Sequence, residues 1–362
     1  MNISLFFLYI SWCSYSVLNV YGYHFIIIPG MGGSVLYNDQ QKKIWPPDIT
    51  MNLNELRFKF DHLNDPILPL INNVGNINDV KIDNSLTYLF TKSTYYSTLI
   101  DYLEKRHFIS AFPYDFRFMF FPKYYLQLYE EFNNFLETKD EIIFICHSMG
   151  GLLLHDFLHH YIKSKNIRKI KKIYYVNVPF GGVPFSFYAI YNSLNPKKEI
   201  SVHSLVPTQI IPYLTSRIKH LHHFGGLYLA LPTHSNPIFR KDDQWYNIHS
   251  IEPLLSNDPI CLSNYKTFMK NHLPYRSKSL PLDQVVVYST NISTSIFLDH
   301  NTQTILSSLG DGLVPIDSLL YPMKWKHQPI YVELSNQEHS KINNYMPLIK
   351  MFSQCDNYLI YK

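Results

Sequence analysis

The chain has 362 residues, 46% of them hydrophobic, and a formal net charge of +4 at pH 7. That is enough apolar material to bury one large core in a single decorated α/β domain. The charge is too mild to point to nucleic acid, and no internal repeat is visible.

The first stretch, residues 3–13, is apolar apart from Ser4 and Ser11, and the small residue of Val20-Tyr21-Gly22 precedes the first strand-like run. It is too short to span a bilayer comfortably, so residues 1–22 are expected to be a cleaved signal peptide. The first lysine is Lys42, so the positive flank is missing and an uncleaved anchor stays open. Entry to the secretory pathway is expected, with a secreted, lumenal or vacuolar destination; Asn291-Ile292-Ser293 is a usable glycosylation sequon.

His24–Ile28 reads as a short, buried strand running into Pro29-Gly30-Met31-Gly32-Gly33-Ser34. Glycines there let backbone amides approach a bound carbonyl, with Met31 N–H as one donor. A phosphate cradle would want a lysine followed by serine or threonine, which this loop lacks. Residues 35–80 form an insertion containing Trp45, Pro46, Pro47, Leu53 and Leu56. Helices are expected over 93–105 and Pro122–Glu137, flanking a strand that runs into Pro113-Tyr114-Asp115, and Asp115 and Arg117 are expected to form a structural ion pair.

After Glu141, residues 142–145 form an apolar run of β-branched and aromatic residues, and Leu152, Leu153, Phe157 and Leu158 follow at helical spacing. Between them Cys146-His147-Ser148-Met149-Gly150 places Ser148 on a strand-to-helix turn, where its Oγ would be exposed and Met149 N–H would face whatever it attacks. Cys146 replaces the first glycine of the usual G-x-S-x-G, and a plain serine N-cap would look similar. Lys163, Lys165, Arg168, Lys169, Lys171 and Lys172 could attract anionic lipid or simply be a solvated helix end before strand Ile170–Val176.

Residues 184–280 read as a cap with few sheet signals. Within it His220-Leu221-His222-His223 has no carboxylate or cysteine at metal-ligand spacing, so a polar helical face is the expectation and no metal is assigned. A strand over 284–289 returns the chain to the core. The glycines of Gly310-Asp311-Gly312-Leu313-Val314-Pro315 allow a sharp turn that aims the Asp311 carboxylate. His339 follows a strand-like stretch, 329–334, and precedes a helix-like one, 342–352; that position separates it from His300 and His327 as a base. Ser148, Asp311 and His339 thus occur in nucleophile, acid, base order.

These segments resemble the lecithin:cholesterol acyltransferase-like lipases, which include lysosomal phospholipase A and the phospholipid:diacylglycerol acyltransferases. The likeness is collinear from about Phe25 to Ile349: the first strand and its glycine loop, Ile44-Trp45-Pro46, Ala111-Phe112-Pro113-Tyr114-Asp115-Phe116-Arg117, the elbow, Val178-Pro179-Phe180-Gly181-Gly182, the acid loop and Glu338-His339. It implies an α/β-hydrolase fold with a membrane-binding insertion and a cap insertion. It also implies acyl transfer from a glycerophospholipid at a membrane surface to a lipid alcohol or water, with Ser148, Asp311 and His339 catalytic, Met31 and Met149 as oxyanion donors, and no cofactor. Trp45 is expected to touch the membrane or substrate, the plainer alternative being that it packs over the cleft or core.

Departures are visible. The family's disulfide-closed loop after the tryptophan is missing, because no cysteine lies between Cys13 and Cys146; Leu313 replaces a common threonine. With a signal removed, Cys146, Cys261 and Cys355 remain, so at least one thiol is free, and pairing of Cys261 with Cys355 stays open. Two other readings compete: an esterase or lipase on non-phospholipid esters, and an inactive lipid-binding module.

Overall fold

The computed structural model describes residues 22–38, 40–45, 74–80, 96–195, 220–302 and 304–354. Residues 1–21 of the expected signal segment, Leu53 and Leu56 of the first insertion, and Cys355 lie outside these residues.

The strands in chain order are β1 His24–Ile28, β2 Leu36–Tyr37, β3 Lys43–Trp45, β4 Phe108–Ala111, β5 Ile142–His147, β6 Ile170–Val176, β7 Phe239–Lys241, β8 Gln244–Tyr246, β9 Gln284–Thr290, β10 Ile292–Asp299, β11 Thr304–Gly310 and β12 Ile330–Ser335. Six of them form one sheet in the order β12-β9-β6-β5-β1-β4. Every neighbouring pair in it is parallel. A parallel sheet needs cover on both faces, and β1 meets that need by burying Phe25, Ile26, Ile27 and Ile28 completely. Each contributes about 1.5–3 kcal/mol of burial.

Side chains alternate between two cores. Ile26, Ile28, Phe144, Cys146 and Tyr175 face helices Pro122–Glu137 and Met149–His160. Phe25, Ile27, Ile143, Ile145 and Tyr174 face helices Ser97–Leu103 and Met346–Ser353. Helices on both faces of a parallel sheet, with the chain crossing from β1 to β4 and back to β5, make this an α/β-hydrolase fold.

Between β6 and β9 the chain forms the cap side of the molecule. Its described part includes helices Pro184–Leu194, Gly225–Leu229 and Pro259–Thr267. It also carries the hairpin β7–β8, which joins β10 and β11 in a second sheet of order β11-β10-β7-β8. That sheet was not expected from the sequence. The helix-like 342–352 stretch is split: a 3-10 turn, Ile342–Asn344, is followed by helix Met346–Ser353, because Pro347 has no N–H to bond back to Asn343 and its ring would clash with that carbonyl in an unbroken helix, whereas it is tolerated in a first turn. Among the described residues no helix is long and apolar enough to cross a membrane.

Candidate active site

The site begins with register. β1 and β5 pair so that Ile28 lies beside Cys146, which sets Pro29-Gly30 against His147-Ser148 where both strands end. Ser148 sits at φ 53° and ψ −130° as the N-cap of helix Met149–His160. A serine held at positive φ stores about 1–3 kcal/mol of strain and persists only where its surroundings enforce it. They do. Ser148 N–H donates to Val176 O at 2.9 Å. A Cβ on Gly150 would lie 2.3 Å from Pro29 O and 2.5 Å from Ile28 O, so only glycine lets the elbow close onto β1. Cys146 meets no such limit. It packs as a buried free thiol, its pKa pushed well up by burial.

His339, in the loop after β12, places Nε2 2.8 Å from Ser148 Oγ and Nδ1 2.6 Å from Asp311 Oδ2. The carboxylate is fully buried. Its Oδ1 accepts from the amides of Leu313 at 3.0 Å and Val314 at 2.7 Å. The loop is pinned further: His339 N–H donates to Asp311 O, and Gly312 N–H, at φ 92°, donates to Thr294 Oγ1 on β10. Leu313 contributes a backbone amide here, which any residue in that place could supply. The structure therefore brings Ser148, His339 and Asp311 into one hydrogen-bonded line, the arrangement in which a base accepts a serine proton while an acid fixes its tautomer.

Met149 follows Ser148 in the chain, and Met31 follows Gly30, where an added Cβ would lie 2.9 Å from Ser148 Cβ. Among the described residues neither amide has an internal acceptor. The Met31 loop is braced from three sides. Gly30 N–H donates to Tyr96 Oη at 2.9 Å, Tyr114 O–H donates to Pro29 O at 2.8 Å, and Trp45 Nε1–H donates to Gly32 O at 2.7 Å. Trp45 corrects an expectation. It is only 2% exposed and meets the Phe116 ring edge-on, with centroids 6.4 Å apart, so it supports the loop from within the core and presents no ring to a bilayer. The indole N–H needs an acceptor once buried, and Gly32 O supplies it.

Sequence reasoning missed His147 and Tyr96. Tyr96 Oη lies 2.9 Å from His147 Nδ1, and His147 Nε2 lies 3.0 Å from His339 O. No pattern in the chain pairs residues so far apart, although His147 was visible as the neighbour of the elbow serine.

The other singled-out residues stand elsewhere. Arg117 and Asp115 form a buried fork, with Nε to Oδ1 at 2.9 Å and an outer nitrogen to Oδ2 at 2.6 Å, that also caps the 3-10 turn Phe116–Phe118. His300 packs near the rings of Tyr191 and Phe239, and His327 is exposed. The basic cluster meets acids: Lys163 and Lys165 pair with Glu137, and Lys171 with Glu141. Gly181 and Gly182 wedge the Val178–Gly182 turn against Ser318 and Leu231, joining core, acid loop and cap. Asn291 lies exposed at the tight turn between β9 and β10.

Residues 74–221 match the family model for lecithin:cholesterol acyltransferase. No curated protein sequence matches the chain significantly. Among solved structures, the Tle4-Tli4 complex contains a chain 12% identical, with 93% of this chain and 100% of that one aligned at a TM-score of 0.48. An esterase from Exiguobacterium antarcticum is 8% identical over 92% of this chain and 91% of its own, TM-score 0.42. A lin2722 gene product from Listeria innocua is 13% identical over 93% and 94%, TM-score 0.36. At these values the neighbours bear on neither substrate nor reaction. The matched stretch holds the braces Tyr96 and Tyr114, the buried Asp115–Arg117 fork and the whole elbow, and with the Ser148–His339–Asp311 line it makes the protein a serine hydrolase-type enzyme of the lipid acyltransferase and esterase class. Over residues 74–221 the chain is similar to the lecithin:cholesterol acyltransferase family.

Proposed function

We propose that the protein takes an acyl group from a glycerophospholipid at a membrane surface and passes it, by way of an acyl-serine on Ser148, to water or to a lipid hydroxyl such as a sterol or diacylglycerol. The observation that carries this reading is the line from Ser148 Oγ through His339 to Asp311, at 2.8 and 2.6 Å, in a chain with the family's elbow. His339 Nε2 accepts the hydroxyl proton as Oγ attacks the ester carbonyl. Asp311 holds the proton on Nδ1 and stabilises the imidazolium. The Met31 and Met149 amides receive the oxyanion.

Collapse of the tetrahedral intermediate breaks the ester bond. The lysophospholipid alkoxide leaves with the proton from His339. The acceptor hydroxyl then gives its proton to the same nitrogen, attacks the acyl-serine and releases Ser148. All proton movements run through side chains of this chain. A peripheral association with membranes belongs to the same proposal, since the substrate's ester lies in a bilayer.

The test is product analysis by mass spectrometry from liposomes of one defined phospholipid, with and without sterol or diacylglycerol. Lysophospholipid with free fatty acid assigns water as acceptor, and acylated sterol or triacylglycerol assigns the transferase. Absence of lysophospholipid, with a soluble short-chain ester still turned over, overturns the phospholipid reading.

A further inference from the structure

The cap brings together four potential metal ligands from two separated segments. His222 and His223 lie in the 3-10 turn Leu221–His223, while Asp258 and Cys261 lie at the start of helix Pro259–Thr267. One donor atom from each of the four lies within 4.8 Å of all the others. Asp258 Oδ2 is 3.0 Å from His223 Nε2 and 3.6 Å from His222 Nε2. The other carboxylate oxygen is already engaged, accepting from the amides of Ile260 and Cys261 at 2.9 Å each. Helix capping thus uses Oδ1 and leaves Oδ2 aimed at the two imidazoles.

The chemistry of the set is specific. Two imidazoles, a thiol and a carboxylate are the ligand types of zinc, and a tetrahedral ion with bonds of about 2.0–2.3 Å holds its ligand atoms about 3.3–3.7 Å apart. The His222 to Asp258 separation of 3.6 Å lies inside that range, and the His223 to Asp258 separation of 3.0 Å lies a few tenths of an ångström below it. His222, His223 and Cys261 are all buried and Asp258 is half-buried, so three of the four ligands are shielded from water.

A supporting shell is present. Ser193 Oγ lies 2.7 Å from His222 Nδ1, which fixes the proton there and turns the lone pair of Nε2 toward Asp258. Tyr228 O–H and the Cys261 thiol both donate to His222 O.

We propose that His222, His223, Asp258 and Cys261 form a structural site for a zinc-class divalent cation that staples the cap. Four protein ligands close the coordination sphere, which marks a structural rather than catalytic ion. Binding forms one metal–sulfur bond and releases the Cys261 thiol proton to solvent. Both histidines coordinate as neutral rings with the remaining proton on Nδ1.

The staple sits next to the chemistry. Phe224, the residue after His223, meets the Phe116 ring at 6.0 Å. At Gly226, a Cβ would lie 2.9 Å from the Met149 sulfur. A metal that fixes the Leu221–His223 turn therefore fixes the segment lying on the residue after the nucleophile.

The test uses the full chain produced with zinc, dialysed against metal-free buffer and analysed for bound metal. One zinc per chain is expected to remain. Exchange for cobalt should give the near-ultraviolet thiolate-to-cobalt band and the intense visible bands of a tetrahedral ion. Cys261→Ser should abolish the thiolate band and weaken zinc binding at least about 100-fold. Folding is checked by circular dichroism; if that variant does not fold, His222→Gln provides the same affinity comparison. A folded wild-type chain that keeps no zinc and shows no thiolate band overturns the site, as does a folded variant with undiminished affinity.

Discussion

His147 Nε2 lies 3.0 Å from the carbonyl oxygen of His339, which ties the elbow's own histidine to the backbone of the base. A carbonyl only accepts, so Nε2 carries the proton and Nδ1 is bare. Burial pushes the His147 imidazole well below the usual histidine range, with the neighbouring His339 adding to the shift, so a second proton does not arrive at Nδ1. Tyr96 O–H therefore donates to Nδ1, and its oxygen accepts from Gly30 N–H. One neutral relay connects the Met31 loop, the elbow and the base.

The relay predicts a positioning effect. Tyr96→Phe leaves Gly30 N–H and His147 Nδ1 without their shared partner, at about 1–3 kcal/mol for buried polar groups left unmet. We expect kcat on a soluble ester to fall about tenfold or more with KM little changed, since the proposed donors would act on the oxyanion and not on the ground-state ester. His147→Gln, which can still donate to His339 O, should keep more activity than His147→Ala. Equal loss in the two His147 variants would reduce the residue to packing.

A second prediction concerns acid. Burial, with His159 adding to it, pushes His155 down to about 3, and burial likewise pushes His24 and His222 down to about 4. In the unfolded chain these groups titrate near about 6.5, so below that pH the unfolded state binds protons that the native state refuses. Stability is complete above about pH 6.5 and falls as pH drops toward the native values. His155 is 5% exposed, stacked on Trp325 and bonded through Nε2 to Lys278 O; it alone costs about 2 kcal/mol by pH 5. Urea unfolding midpoints measured from neutral pH to pH 5 should fall steeply. His155→Gln should flatten that slope by about one proton, or about 1.4 kcal/mol per pH unit.

What the sequence showed and hid follows from the range of the interactions. β1, β6 and helix Pro122–Glu137 have the bounds their patterns predict, because buried parallel strands and a long amphipathic helix write their period locally. Ser148, Asp311 and His339 were legible through their turns, whose glycines and strand ends are also local. β10 and β11 were not. Ser293, Thr294, Ser295, Ser307 and Ser308 dilute the apolar alternation, and only the pairing of Ile292 with Gly310 and the ladder that follows reveal the hairpin. The histidine turn hid its ligands for the same reason, since Asp258 and Cys261 lie far along the chain. Trp45 misled because a tryptophan beside prolines reads as exposed until the fold supplies Gly32 O and Phe116 around it.

At the elbow the two small-residue positions should behave oppositely. Gly150→Ala drives a Cβ into two backbone oxygens that cannot move aside without shifting β1, so insoluble or unfolded protein is expected. Cys146→Ala removes one buried sulfur from a packed strand, at about 1–2 kcal/mol, and should leave fluorophosphonate labelling of Ser148 unchanged. Loss of labelling in a folded Cys146→Ala protein would give that thiol a role the geometry does not assign.

The proposed triad predicts non-additive losses. Ser148→Ala should remove labelling and lower turnover by about a thousandfold or more, and Asp311→Asn should lower it by about ten-thousandfold through loss of the imidazole tautomer. Adding His339→Ala to Ser148→Ala should cost little more, because the three groups act as a unit. His300→Ala should be mild, since that ring lies against Tyr191 and Phe239. If His300→Ala and not His339→Ala eliminated turnover, the assignment of the base would fail.

Trp45 now carries a different prediction from the one its neighbours in the sequence suggest. Its ring is buried against Phe116 and its N–H holds Gly32 O, one residue past Met31, the proposed donor. Trp45→Ser empties a large volume, at about 3–5 kcal/mol, and frees the loop that aims the amide. Hydrolysis of a soluble short-chain ester and of liposomal phospholipid should therefore fall together. Trp45→Phe keeps most of the packing and loses only the hydrogen bond, so its kcat should lie between wild type and Trp45→Ser at nearly wild-type melting temperature. Binding to liposomes, measured by co-sedimentation, should be unchanged in Trp45→Phe. A selective loss of liposome binding with soluble turnover intact would return the tryptophan to the membrane surface and remove it from the support of the loop.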